Sequence, residues 1–281
     1  MRIFAFSDEA ARDLDGQIAA MKRNGLEGTE IRDVDGRNIT SLTVKEAADV
    51  LRRLKDNGLS VWSVGSPIGK IPLDAGGFGA HLDLLRRTLE IARALECGNL
   101  RMFSFYLPKG VRPEDCRNEV IDRLGKMAEA AEGSGVALCH ENEKEIYGDI
   151  AARCADLLDA VSSLRCVFDP ANFIQSGQDV PEAWALLGRR VYYMHIKDAL
   201  PDGTVVPAGR GVGHLPELLR DYAAGGGNVV TVEPHLRVFD GLAALERNLR
   251  SPVAESAYPT AGAAFDAACG ALKNLIGSQP A

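Results

Sequence analysis

The chain has 281 residues, 46% hydrophobic and 25% charged, which allows it to bury about three-quarters of its unfolded surface without help from disulfides. Its formal net charge of -7 works against long-range attraction to polyanions, so nucleic acid is not an expected partner. No uncharged run approaches the roughly 18 apolar residues needed to span a bilayer, and Asp8 and Glu9 interrupt the N-terminal run MRIFAFSDEA too early for a signal peptide.

In chain order, short β-rich runs alternate with longer helical ones. The strand candidates are RIFAFS, GTEIRD, LSVWSVG, NLRMFSF, VALCHEN, LRCVFD, VYYMHIK and NVVTVEP, eight in all. Between them the apolar residues recur with helical spacing, as in Leu82, Leu85, Leu89, Ala92 and Leu95, or Ile121, Leu124, Met127, Ala128 and Ala131. Gly25, Gly58, Gly98 and Gly135 stand just before the next strand, where a helix C-terminus calls for a residue free to adopt positive φ. A βα unit repeated eight times predicts a parallel sheet with right-handed crossovers, closed into an α/β fold of the (β/α)8 TIM barrel type. An open doubly wound sheet would need a Gly-x-Gly-x-x-Gly turn after its first strand, and none is there.

The Gly- and Pro-rich stretches at 65–79 and 201–216 fall between a strand and a helix, so they read as loops over the mouth of the barrel rather than linkers. A single domain over 1–281 is therefore expected. Residues 251–262 look irregular, and FDAACGALKNLIG looks like a short last helix on the outside of the barrel. The six cysteines are scattered, with no CxxC pair and no zinc-finger spacing, as expected of buried thiols in a reducing, cytoplasmic setting.

The last residues of barrel strands point at the mouth, and four successive strands end in a polar donor. The fifth ends at Glu141, the sixth at Asp169, the seventh at His195 and the eighth at Glu233. One such carboxylate is most simply a helix N-cap. Four on neighbouring strands form a coordination shell for one divalent ion, and burying three carboxylates together without a cation would be costly. The oxygen-rich set favours manganese, magnesium or cobalt, with zinc as a further option.

HENE, FDPANF, HIKD and VEPHL resemble the metal-binding signature of the xylose isomerase-like barrel superfamily, over nearly the whole chain. The sugar phosphate isomerase/epimerase group within it is similar also at IRD around Arg32, at SPIG, and at the turn of GRGVGHLPELL. The resemblance implies a small sugar substrate and a metal-stabilised enediolate, with Glu141 and Glu233 both ligating the metal and serving as acid and base. Two departures stand out. The ketose epimerases of that superfamily carry a histidine where this chain has Asn172, and an arginine where it has Pro201, so the substrate contacts must differ. The endonuclease-like branch builds a three-metal site from extra histidines, whereas this chain has five histidines in all and none in its second to fourth strands.

For the substrate the sequence offers Arg32, Asn172, Lys197 and Arg210. Arg32 is expected to point into the mouth as a donor, Lys197 to hold an oxyanion or act as an acid, and Arg210 to close over the ligand. His140 and His235 flank the proposed ligands, and Trp62, Phe105 and Tyr106 could form an apolar wall. An isomerase or epimerase is the leading expectation. A dehydratase or lyase on a keto-sugar, inosose or keto-glycoside would use the same ligands, and a non-catalytic sugar-binding subunit is the third reading. Assembly into a homo-oligomer is left open.

Overall fold

The computed structural model describes residues 1–238 and 257–277. Its centre is a closed barrel of eight parallel strands: β1 (Arg2–Ala5), β2 (Gly28–Ile31), β3 (Ser60–Gly65), β4 (Asn99–Met102), β5 (Ala137–Glu141), β6 (Arg165–Phe168), β7 (Val191–Ile196) and β8 (Val229–Val232). They follow one another around the barrel in chain order, and β8 closes on β1. All eight expected strands are therefore present. Around them run α1 (Leu14–Arg23), α2 (Val44–Lys55), α3 (Phe78–Ala94), α4 (Pro113–Ala131), α5 (Ala151–Ala160), α6 (Pro170–Gln175), α7 (Val180–Leu187), α8 (Leu215–Ala224) and α9 (Ala261–Gly277).

Local chemistry explains where the helices begin. Asp13 caps α1, Asp179 caps α7, and Thr43 with Glu46 forms a reciprocal capping box on α2. Pro113 opens α4, at a position where its missing N–H costs nothing. Three of the four expected stop glycines, Gly25, Gly58 and Gly135, do adopt positive φ. Gly98 does not. After α3 the left-handed position falls on Glu96 instead, at φ 49°.

The outward side chains of the strands, such as Val64, Leu100, Leu138, Phe168, Met194 and Val230, belong to the large core shared with the helices. Inside the barrel, Phe4, Cys139, Val167, Tyr193 and Val229 form a separate apolar cluster with Trp62 against it. Two register shifts shape this interior: β2 and β3 slip between Thr29 and Glu30, and β6 and β7 slip between Cys166 and Val167. The last helix is longer than FDAACGALKNLIG suggested, and its Asp266 pairs with Arg23 of α1 at 2.8 Å. Residues 251–256 of the stretch read as irregular lie outside the described residues. All six cysteines are free and buried, and no helix among the described residues is long and apolar enough to cross a membrane.

Candidate metal centre

Along the fifth to eighth strands, period-two alternation brings an ionisable side chain into the barrel interior in a single step towards the mouth. Cys139 is followed on the same face by Glu141, Val167 by Asp169, Tyr193 by His195, and Thr231 by Glu233. Glu141, Asp169, His195 and Glu233 are all buried, and each offers a ligand atom within 4.8 Å of the others. His195 Nδ1 lies 3.0 Å from Glu141 Oε1 and 3.7 Å from Glu233 Oε2.

Asp169 shows why the simple N-cap reading is true and incomplete. Its Oδ1 accepts the Asn172 N–H at 2.9 Å and caps α6. Its Oδ2 is buried, accepts no hydrogen bond and faces the cluster, with Lys197 Nζ 3.0 Å away. A carboxylate oxygen that accepts no hydrogen bond, is paired only with the Lys197 ammonium and lies beside three further donors fits a divalent ion. Burial pushes the Asp169 carboxyl up to about 7, against the pull of Lys197. Burial also opposes ionisation of Glu233, but Lys197, His235, His195 and Arg32 around it hold it well below the usual carboxylate range.

Cations surround the cluster. Lys197 Nζ donates to Glu233 Oε2 at 2.8 Å, and burial, which would lower its pKa, is outweighed by Asp169, Glu233 and Glu141. Arg101 approaches Glu141 Oε2 at 3.3 Å, and Arg32 approaches Glu233 Oε1 at 3.6 Å. The Phe6 ring holds both guanidinium groups, 4.5 Å from Arg32 and 5.4 Å from Arg101, and meets His195 edge-on. Gly65 makes room for it, since a Cβ there would lie 2.7 Å from the Phe6 ring.

Of the expected substrate contacts, Asn172 and Lys197 line the cavity at the centre of the mouth, which measures about 20 Å³. Asn172 Nδ2 donates to Glu141 Oε1 at 3.2 Å and to the Asn142 carbonyl. Arg32 also lines it, as expected of a side chain pointing into the mouth, and its Nε and Nη2 bind Asp8 and Glu9 at 2.8 and 3.1 Å. Arg210 is exposed on its loop and is not among the lining residues.

The aromatic wall also falls away. Trp62 packs low in the barrel with Phe4, Tyr192 and Tyr193. Phe105 packs on Phe78, and Tyr106 clusters with Phe103 and Ile146. His140 turns to Ser104 at 2.9 Å, away from the cluster, and burial lowers it to about 3. His235 does line the cavity, at φ 42°, with its N–H given to Glu9 Oε2. Glu9, Glu233 and His235 also form a second group of potential donors. The guanidinium of Arg32 already supplies positive charge there.

Several residues of this site were not singled out from the sequence. Arg101 was detectable as a charge inside the apolar strand NLRMF, and Glu30 as a carboxylate inside GTEI. Asp8 and Glu9 were read only as interruptions of an apolar run. Asp198 explains the Gly-rich turn: its carboxylate accepts the N–H groups of Gly209, Gly211 and Gly213 at 2.9 to 3.0 Å. A Cβ at residue 211 would lie 2.2 Å from the Ala199 carbonyl oxygen.

Comparison with known proteins agrees with this fold. The model of the xylose isomerase-like TIM barrel family matches residues 18–251. Among solved structures, an IolI protein with a bound zinc atom is 16% identical, with 98% of each chain covered and a TM-score of 0.75. A probable 3-DHS dehydratase, AsbF of Bacillus anthracis, is 17% identical, with 98% of this chain and 99% of that one covered and a TM-score of 0.74. The D-psicose 3-epimerase of Clostridium cellulolyticum H10, solved with D-tagatose, is 16% identical over 98% of each chain, with a TM-score of 0.72. Among curated protein sequences none matches this chain.

Proposed function

Because the chain belongs to the xylose isomerase-like TIM barrel family, we propose that it is a metal-dependent isomerase or epimerase of a small keto-sugar. Glu141, Asp169, His195 and Glu233 would hold the ion, and Glu141 and Glu233 would exchange the proton. The observation that carries this reading is the convergence of four buried donors, among them an Asp169 Oδ2 that accepts no hydrogen bond. Three carboxylates and one imidazole suit manganese, magnesium or cobalt, and the zinc-bound IolI relative supports zinc as a further option. A divalent ion bound here would supply Lewis-acid polarisation of a substrate carbonyl.

The protein's own groups account for the rest. Glu141 and Glu233 both reach His195 Nδ1 with one oxygen and turn the other towards an arginine. One carboxylate removes a proton from the carbon beside the carbonyl, and the other returns one to the opposite face or the neighbouring carbon. Lys197, an ammonium buried in the mouth, would stabilise the developing enediolate oxygen of the substrate. Asn172 fixes Glu141 by its amide and leaves the position taken by histidine in ketose epimerases without a second titrating group.

A dehydratase is the second reading, favoured by the AsbF likeness and by Lys197, which can donate a proton to a departing hydroxyl. Incubation with a panel of ketoses, inososes and keto-glycosides in heavy water separates the two. Proton exchange should place deuterium on the product carbon with the carbon count unchanged. A dehydratase would release water and a conjugated product, and unlabelled isomer would overturn the two-glutamate assignment.

A further inference from the structure

His195 presents two nitrogens to two different environments. Nδ1 faces the four-residue cluster, 3.0 Å from Glu141 Oε1. Nε2 faces the other way, 3.0 Å from Glu30 Oε2. Glu30 stands outside the cluster, fully buried, and its other oxygen accepts the Tyr193 hydroxyl at 2.9 Å. That hydroxyl also reaches Ser63 at 3.3 Å, and Arg101 Nε lies 3.9 Å from Glu30. Held from these sides, the Glu30 carboxylate is not free to swing into the cluster.

A neutral imidazole carries one N–H and one lone pair, and whichever nitrogen donates leaves the other as the ligand. From this geometry we infer that Glu30 is a positioning residue: it accepts the Nε2–H of His195 and thereby presents Nδ1 to the bound ion. The arrangement is a carboxylate, an imidazole and a metal position in series, in which the carboxylate fixes ring orientation and tautomer and raises the basicity of the ligand nitrogen. The slip in register at Thr29 and Glu30 sets this carboxylate opposite Ser63 rather than Trp62. Tyr193 extends the series downwards, so the apolar floor of the barrel is coupled to the ligand through one hydroxyl.

The inference rests on the metal reading proposed above, and the test separates them. Manganese and zinc binding are measured by calorimetry on the unaltered chain and on Glu30→Gln, Glu30→Leu and Tyr193→Phe, with thermal melts in the absence of metal to establish folding. The Gln variant keeps an acceptor and should lose about tenfold in affinity, and the Leu variant about a hundredfold. Tyr193→Phe should fall in the same direction by less. Nitrogen-15 spectra of the zinc-loaded protein should show the ion on Nδ1 and a proton on Nε2 of His195, a signature that a merely structural carboxylate would not govern. Unchanged affinity in the folded Gln variant, or zinc on Nε2, overturns the inference and leaves the metal site standing. If the unaltered chain binds neither ion, the metal reading falls and this one with it.

Discussion

The floor and the mouth of the barrel are built from the same strands, yet they are stabilised in opposite ways. At the floor, Phe4, Cys139, Val167, Tyr193 and Val229 fill the interior by packing alone. Higher on the same strands and their neighbours, Glu30, Arg101, Glu141, Asp169, His195 and Glu233 are nearly as buried and ionisable. Burying charge costs several kcal/mol per ion unless partners and hydrogen bonds compensate. The mouth therefore contributes function at the expense of stability, and the floor supplies the stability that lets it do so.

The sharpest way to break this contrast is to alter the mouth and read chemistry. Glu141→Gln and Glu233→Gln keep the side-chain shape but remove a basic oxygen, so turnover should fall by about 10² to 10⁴. Circular dichroism should show the barrel retained. Unfolding in step with the activity loss would erase the distinction. The reciprocal change is Phe4→Ala on the floor, where truncating a fully buried ring should cost about 3 to 5 kcal/mol in urea unfolding. Turnover per folded molecule should be unaffected.

A smaller effect should follow from filling the charged layer. Manganese at about a hundred times its Kd should add about 2.7 kcal/mol to unfolding stability, because only the folded state assembles the donors. Asp169→Asn and His195→Ala should abolish that gain, which calorimetric melts with and without metal would reveal. The smallest expected effect lies at the rim, where His81 Nε2 accepts the Gly69 N–H. Burial, with a lesser push from Arg123, lowers His81 below its ordinary 6.5, so the folded protein holds it neutral. The unfolded chain binds that proton first as pH falls. Its contribution is complete above 6.5 and declines below that value towards the folded pKa, by at most about 1.4 kcal/mol per pH unit. His81→Gln should flatten the slope in denaturant titrations between pH 7 and 5.

The strands were legible because their apolar runs are bounded by glycines and helical spacing, and the four converging donors because each closes such a run. What the sequence withheld was pairing. Arg32 was expected to point into the mouth and does line the cavity, but nothing in a linear reading brings Asp8 and Glu9 from the end of the first strand to its guanidinium. Arg210, expected to close over the ligand, is exposed on its Gly-rich loop, and a linear reading does not show that Asp198 ties that loop down by its backbone. Trp62 packs against the floor cluster, as aromatic residues in strands usually do. Glu30 was visible as a charge, yet its role depends on which imidazole nitrogen it meets.

The Asp198 carboxylate also bears on how such an enzyme can diverge. Side chains at 211 and 213 would collide with the Ala199 carbonyl and with Asp198 itself, so these two positions of the loop after the seventh strand have little freedom to accept substitutions. Change is expected to be better tolerated where Lys70 and Glu143, both lining the cavity, meet at 2.8 Å across the loops that follow β3 and β5. A library built for altered specificity should therefore yield inactive clones when it samples 209, 211 and 213, and altered preferences when it samples 70 and 143.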